Sequence, residues 1–280
     1  MICLLFFANG PFTTSNIAST LVTFALYGGL FIIPIYLQNL RGLSAYQAGL
    51  LLLPQAFASM VTSIVGGRLV DKIGVRAVLI PGLIILAFAL WLFTFIGANT
   101  PYGTIQIWLI VRSLALGLSF QPLAVSALSE MSPRQLPGAT AVNTTMRFVV
   151  GSFAVAVMAT LVQTQTAIHY THLAELVTPW SRLGQLVPQL QALFMLQGAS
   201  ASAAYAAAIR TLSGLVQRQA TILAMQDAFR VSLVLTGIAI IAAFFVRFRR
   251  SQPGAVEQKP LTERERQEAA AAREEATLAV

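Results

Sequence analysis

The sequence predicts an all-α membrane protein with six transmembrane helices, and three observations carry that prediction. Hydrophobic residues make up 56% of the chain and charged residues only 10%, where a soluble domain carries about 25% charge. The charges are segregated: of 18 Lys/Arg and 10 Asp/Glu, residues 1–246 hold eleven basic side chains and four acidic ones, Asp71, Glu130, Glu175 and Asp227. The apolar remainder falls into runs of about 20 residues, the length that crosses a hydrocarbon core about 30 Å thick. These runs lack the alternation and length of barrel strands, which leaves helices as the way to satisfy the backbone in lipid.

Taken in order, the predicted spans are 16–38, 47–67, 77–96, 105–128, 139–163 and 228–246. Turn residues separate the first five: Arg41 to Ser44, Asn99 to Gly103, and Ser132 to Gly138 with two prolines. Residues 1–163 thus form helices one to five. Residues 164–227 form a long outer loop with amphipathic helices near Pro188 and over 203–225, residues 228–248 hold the sixth helix, and 249–280 form a charged tail. Lys/Arg in short loops set orientation. Arg68, Lys72 and Arg76 lie between the second and third spans, Arg134 between the fourth and fifth, and Arg247, Arg249 and Arg250 follow the sixth. The opposite short loops carry only Arg41. Both termini are therefore expected in the cytoplasm of a multi-pass protein of a bacterial inner membrane.

Composition also excludes function classes. The net charge of +8 resides on the hydrophobic body, where basic charge is topological, so no nucleic-acid partner is expected. Cys3 is the only cysteine, so no internal disulfide is possible, and the start lacks the basic region and cleavage site of a secretory signal peptide. No nucleophile elbow, phosphate loop or intramembrane carboxylate pair is present, so no enzyme and no cofactor are expected. His169, His172 and Glu175 have a short metal-like spacing but no second ligand cluster, and no metal is expected.

The candidate functional residues each admit two readings. Gly67, Asp71, Lys72, Gly74 and Arg76 form a charged turn at a membrane face, either a gating clasp or a positive-inside stop. Arg112 and Arg147 are the only charges well inside predicted spans, each about eight residues or roughly 12 Å from a helix end. They either face a bundle interior or water-filled path, or snorkel to the headgroups. Tyr27, Tyr36, Gln55, Gln121 and Asn143, with Gln38, Ser59 and Ser63, are polar points on apolar helices. They either line a cavity for an amphipathic solute or make interhelical hydrogen bonds. Gly28, Gly29, Gly66, Gly67 and Gly117 read as close helix packing, and Pro34, Pro54 and Pro122 as kinks.

Several blocks together resemble the major facilitator superfamily of transporters. They are Phe31 to Gln38, Leu43 to Pro54, the Gly67–Arg76 loop, Arg112 to Gly117, Thr144 to Ser152, and Gln219 to Phe229. In order and placement they are similar to the C-terminal six-helix half of a fourteen-span drug:proton antiporter. Departures from that pattern are Ser113, Ala115 and Val150 at glycine positions, and Asn143 one residue early. The resemblance implies a bundle that is half of the full fold, completed by an N-terminal half or by self-association. It also implies proton-coupled efflux of amphipathic small molecules, with the proton-carrying acid in the other half. None of the four acids of the body falls near mid-span, so coupled transport by this chain alone is not expected. The outer loop is compatible with a lid, a docking surface for a periplasmic adaptor, or an interfacial helix, and a non-transporting six-span scaffold is the alternative reading.

Overall fold

The computed structural model describes residues 10–128, 136–178, 180–181 and 184–245. These are helical apart from short connections. The helices are α1 (Gly10–Ile35), extended by a π-turn over Tyr36–Leu40, then α2 (Ala45–Ile73), α3 (Val75–Phe93), α4 (Tyr102–Leu128), α5 (Leu136–Glu175), α6 (Leu186–Leu196) and α7 (Ala201–Phe245). Six of them, all but α6, are long and apolar enough to cross a membrane. The expected spans are present, and the differences lie at their ends.

Local chemistry explains several of those ends. Pro34 sits in the last turn of α1 and removes one backbone donor there, and the helix loosens directly afterwards into the π-turn. Gly42, at φ +69°, closes the turn. Ser44 then caps α2: its Oγ accepts from the Gln47 N–H (3.2 Å), while Gln47 Oε1 accepts from the Ser44 N–H (3.0 Å). The expected loop over 67–76 is not a loop. Helix α2 runs through Asp71, Lys72 and Ile73, and only Gly74 separates it from α3. At φ +92°, Gly74 occupies a region that side chains avoid, so one glycine reverses the chain. Val70, Val75 and Val78 bury together beneath that turn, against Leu69 and Leu118.

The stretch 164–227 is likewise not one loop. Helix α5 continues past residue 163 to Glu175, and α7 begins at Ala201, well before the expected sixth span. These helices are 40 and 45 residues long, or about 60 and 67 Å, against about 30 Å of hydrocarbon. Ala, Gln and Thr in both extensions are compatible with helix, so lower hydropathy there reflects a helix leaving the apolar layer. Between them α6 packs on α7.

The neighbours of each helix form a regular pattern. Helix α4 packs on α2 and α3, α1 packs on α5 and α7, α3 meets α7, and α1 meets α4. Exchanging α1, α2 and α3 with α4, α5 and α7 leaves that set of neighbours unchanged, as expected for nested inverted repeats. The core lies along α3, whose Val78, Leu79, Leu83, Leu86, Leu90 and Phe93 are buried at helical spacing. Phe93 stacks on Phe229 of α7 (5.0 Å between ring centres) and meets Trp108 of α4 edge-on (5.6 Å). Helix α2 is the opposite case: Leu50, Leu53, Phe57, Met60, Val61 and Ile64 are exposed.

Close approach depends on glycine at the α2–α4 crossing. A Cβ on Gly66 would stand 2.8 Å from the Gly117 carbonyl oxygen, and one on Gly117 would stand 2.6 Å from the Ser63 backbone nitrogen. Gly67, one residue on, has open space instead, so of that pair only Gly66 serves packing.

Candidate functional site

Small polar residues on α1 recur at helical spacing: Asn16, Ser19 and Thr23 are all buried. Facing them on α5 are Asn143, buried, and Arg147, half-buried. Together with Thr20, Met146 and Val150 they line a narrow crevice between α1 and α5. The Arg147 guanidinium lies over the Phe120 ring of α4, 4.4 Å from its centre. Such a contact stabilises by about 0.5–2 kcal/mol depending on desolvation. Arg147 therefore reaches inward to two neighbouring helices and does not simply extend to the headgroups.

Arg112 lies deeper in the same bundle. It is 1% exposed and starts about 15 Å along α4 from Tyr102. Its Nη2 donates to the Leu26 carbonyl oxygen at 2.7 Å. The guanidinium lies flat on Gly29 of α1, where a Cβ would stand 3.2 Å from Cζ and Nη2. Its Nε has no partner, and among the described residues no carboxylate pairs with it. One further buried hydroxyl here, Thr23 Oγ1 on α1, also lacks a partner, whereas the unpartnered Ser119 Oγ of α4 faces Gly82 of α3 instead. Buried polar atoms left unpaired cost about 1–3 kcal/mol each, and a concentration of them along one seam is a mark of a functional interior. The seam thus holds two cations and two unpartnered polar atoms, Arg112 Nε and Thr23 Oγ1, between α1, α4 and α5.

The remaining expected residues are placed variously. Tyr27 is half-buried on α1, its ring against Gly151 of α5, where a Cβ would stand 2.9 Å from Cε1. Tyr36 is fully buried in the π-turn, and its hydroxyl donates to the Gly97 carbonyl oxygen at 2.7 Å. Arg41 closes the same end of the bundle. Its Nη1 donates to the Ala98 and Thr100 carbonyl oxygens, each at 2.8 Å, and its guanidinium covers the Tyr102 ring. The reason is steric: the π-turn directs Tyr36 toward the α3–α4 connection. Gln55 is half-buried on the largely uncovered α2, and the Gln121 side chain lies outside the described residues.

At the other end, Asp71, Lys72 and Arg76 are exposed and Gly67 and Gly74 half-buried. Asp71 has no ion-pair partner among the described residues. The five residues occupy the end of α2, the Gly74 reversal and the first turn of α3, so the structure brings them to one corner. Glu130 and the tail beyond residue 245 lie outside the described residues.

Sequence reasoning missed two features. Asn16, Ser19 and Thr23 follow the spacing of one helix face, a signal that hydropathy averaging conceals. The other is an ion cluster joining α5 to α7: His169 Nε2 meets Asp227 Oδ2 at 2.7 Å, and Arg230 Nη1 donates to Asp227 Oδ1 at 2.7 Å. Among the described residues no group of metal-binding side chains assembles.

Known proteins match this chain in the same region. The sequence profile of the Major Facilitator Superfamily matches residues 4–156. The uncharacterized MFS-type transporter YhcA of Bacillus subtilis is 34% identical over 59% of this chain and 31% of its own length. The lincomycin resistance protein LmrB of Listeria innocua is 30% identical over 66% of this chain and 39% of its own. The fatty acid resistance protein FarB of Neisseria gonorrhoeae is 29% identical over 62% of this chain and 34% of its own. The chain spans about a third of the length of these curated relatives. With that match and six membrane-length apolar helices, the chain is an integral membrane protein belonging to the major facilitator superfamily.

Proposed function

We propose that this chain is one six-helix bundle of a proton-coupled exporter of amphipathic small molecules, active when joined by a complementary bundle. The observation that carries this reading is the match to relatives named for lincomycin and fatty acid resistance, over most of the helical bundle and only about a third of their length. The order of the sequence blocks supports a C-terminal placement. The seam of Arg112, Thr23, Asn143 and Arg147 is the part of the bundle suited to meet solute or acidic groups from the complementary bundle, because two of its buried polar atoms, Arg112 Nε and Thr23 Oγ1, lack partners. Arginine stays protonated, so these residues do not carry the coupling proton, and an acid of the complementary bundle takes that task. Asp71, Lys72 and Arg76 act as a clasp that is made and broken as the two bundles rock.

The test is ethidium accumulation in an efflux-deficient bacterium expressing the chain alone, and with the N-terminal bundle of LmrB. Efflux that needs both parts and collapses with a protonophore is the expected result. In the active pair, Asp71→Asn should slow efflux several-fold without reducing membrane insertion. Energised efflux by the chain alone as a purified monomer, or none with any complementary bundle, would sink the reading.

A further inference from the structure

We propose that the cleft between α1, α5 and α7 is a binding site for an uncharged amphipathic molecule, complete within this one bundle. The cleft encloses about 400 Å³, within the range of small-molecule sites. It shares no residue with the seam around Arg112 and Arg147. One wall is apolar, built from Ile32 and Ile35 of α1, Val162 of α5 and Met225 of α7. Met225 adds an adaptable surface that fits varied shapes.

The polar side is chemically uniform. Three side-chain amides reach the cleft from three elements: Asn39 from the π-turn, Gln163 from α5 and Gln217 from α7. None of the three amides makes a hydrogen bond within the described residues, so each offers both a donor and an acceptor. The hydroxyls of Thr166 and Thr221 donate to carbonyl oxygens of their own helices, at 2.6 and 2.8 Å, which leaves their lone pairs facing a ligand. Among the described residues no charged side chain lines the cleft. Nearby, Asp227 pairs with Arg230 and meets His169, while the exposed Arg218 follows Gln217 in sequence but does not line the cleft. A charged ligand would lose part of its hydration and find no counter-ion in the cleft lining, whereas a neutral molecule with a hydroxyl, amide or ether group would meet matched partners. Amides discriminate little among such groups, so the site selects against charge more than for one shape. This inference does not rest on export: binding is expected even if the chain transports nothing.

The experiment uses the full chain in lipid nanodiscs with Cys3→Ser and Thr221→Cys, following labelling by N-ethylmaleimide. Neutral N-phenylnaphthylamine should slow labelling at position 221 at least tenfold. Its anionic counterpart of similar shape, anilinonaphthalene sulfonate, should leave the rate within twofold. Adding Gln163→Leu and Gln217→Leu should abolish the protection. Thr160→Cys, on an exposed face of α5, reports simple partitioning into lipid and should not be protected. Ala159→Cys serves as a second reporter in the cleft if Thr221→Cys disturbs folding. Equal protection by the anion, equal protection at position 160, or no protection at either cleft position would overturn the proposal. Failure of both cleft positions to label without probe would show a cleft filled by lipid, and would overturn it too.

Discussion

Two Gly→Ala substitutions only one helical crossing apart should have opposite effects. A methyl group on Gly117 would stand 2.6 Å from the backbone nitrogen of Ser63 and from the carbonyl carbon of Thr62. Ordinary contact is about 3.5 Å, so α2 and α4 must part by about 1 Å, and a gap of that size forfeits a quarter to a half of each local dispersion contact. The opposing atoms are helix backbone and cannot rotate aside. Overpacking of this kind costs about 1–3 kcal/mol. Gly67 lies in α2, the helix opposite Gly117, with nothing within 4 Å of its would-be methyl group. There alanine gains only its intrinsic advantage in a helix, up to about 1 kcal/mol. The two variants should therefore differ by about 1–4 kcal/mol. Unfolding midpoints of the purified protein, followed by tryptophan fluorescence on heating, would measure the difference. If Gly117→Ala is as stable as the unsubstituted chain, or if Gly67→Ala is equally damaging, the account of the crossing is wrong.

Two further substitutions probe the polar seam and the closed end of the bundle. Arg112→Met removes a buried charge that has only one carbonyl partner, while keeping most of its volume. Thermal stability should rise by about 1 kcal/mol or stay level, because an unpaired buried ion is a net cost, whereas efflux in the assembled exporter should fall at least tenfold; a clear loss of stability would reveal a pairing stronger than the Leu26 contact. Tyr36→Phe deletes the bond to the Gly97 carbonyl and should cost about 1 kcal/mol, with faster amide exchange around residues 94–100. Arg41→Ala should then cost less in that background than in the unsubstituted chain, since Arg41 Nη1 also reaches the Tyr36 hydroxyl at 3.4 Å.

Much of this architecture is legible in the sequence because hydrocarbon imposes one strong rule on the backbone. The apolar runs marked six helices, and Arg112 announced itself as a charge that an apolar layer tolerates only in a protein interior. The ends were less legible. Asp71 and Lys72 look like loop residues by polarity, yet they continue α2, because a helix emerging from the apolar layer changes its solvent and not its hydrogen bonding. The same holds for α5 beyond residue 163 and for α7 before residue 228. Tyr36 could not be placed from its own neighbourhood: its partner is a carbonyl 61 positions away, selected by the π-turn. The cleft was hidden for a related reason. Asn39, Gln163 and Gln217 are unremarkable singly, and only the packing of three elements brings their amides together.

The length of α7 has a mechanical consequence. From Gln217, where it still lines the cleft against α1 and α5, the helix continues unbroken back to Ala201, an arm of about 24 Å. A rotation of about 10° there would sweep the far end through about 4 Å. Because α6 rides on this arm, a slight rearrangement among packed side chains at the pivot becomes a displacement large enough for another molecule to sense.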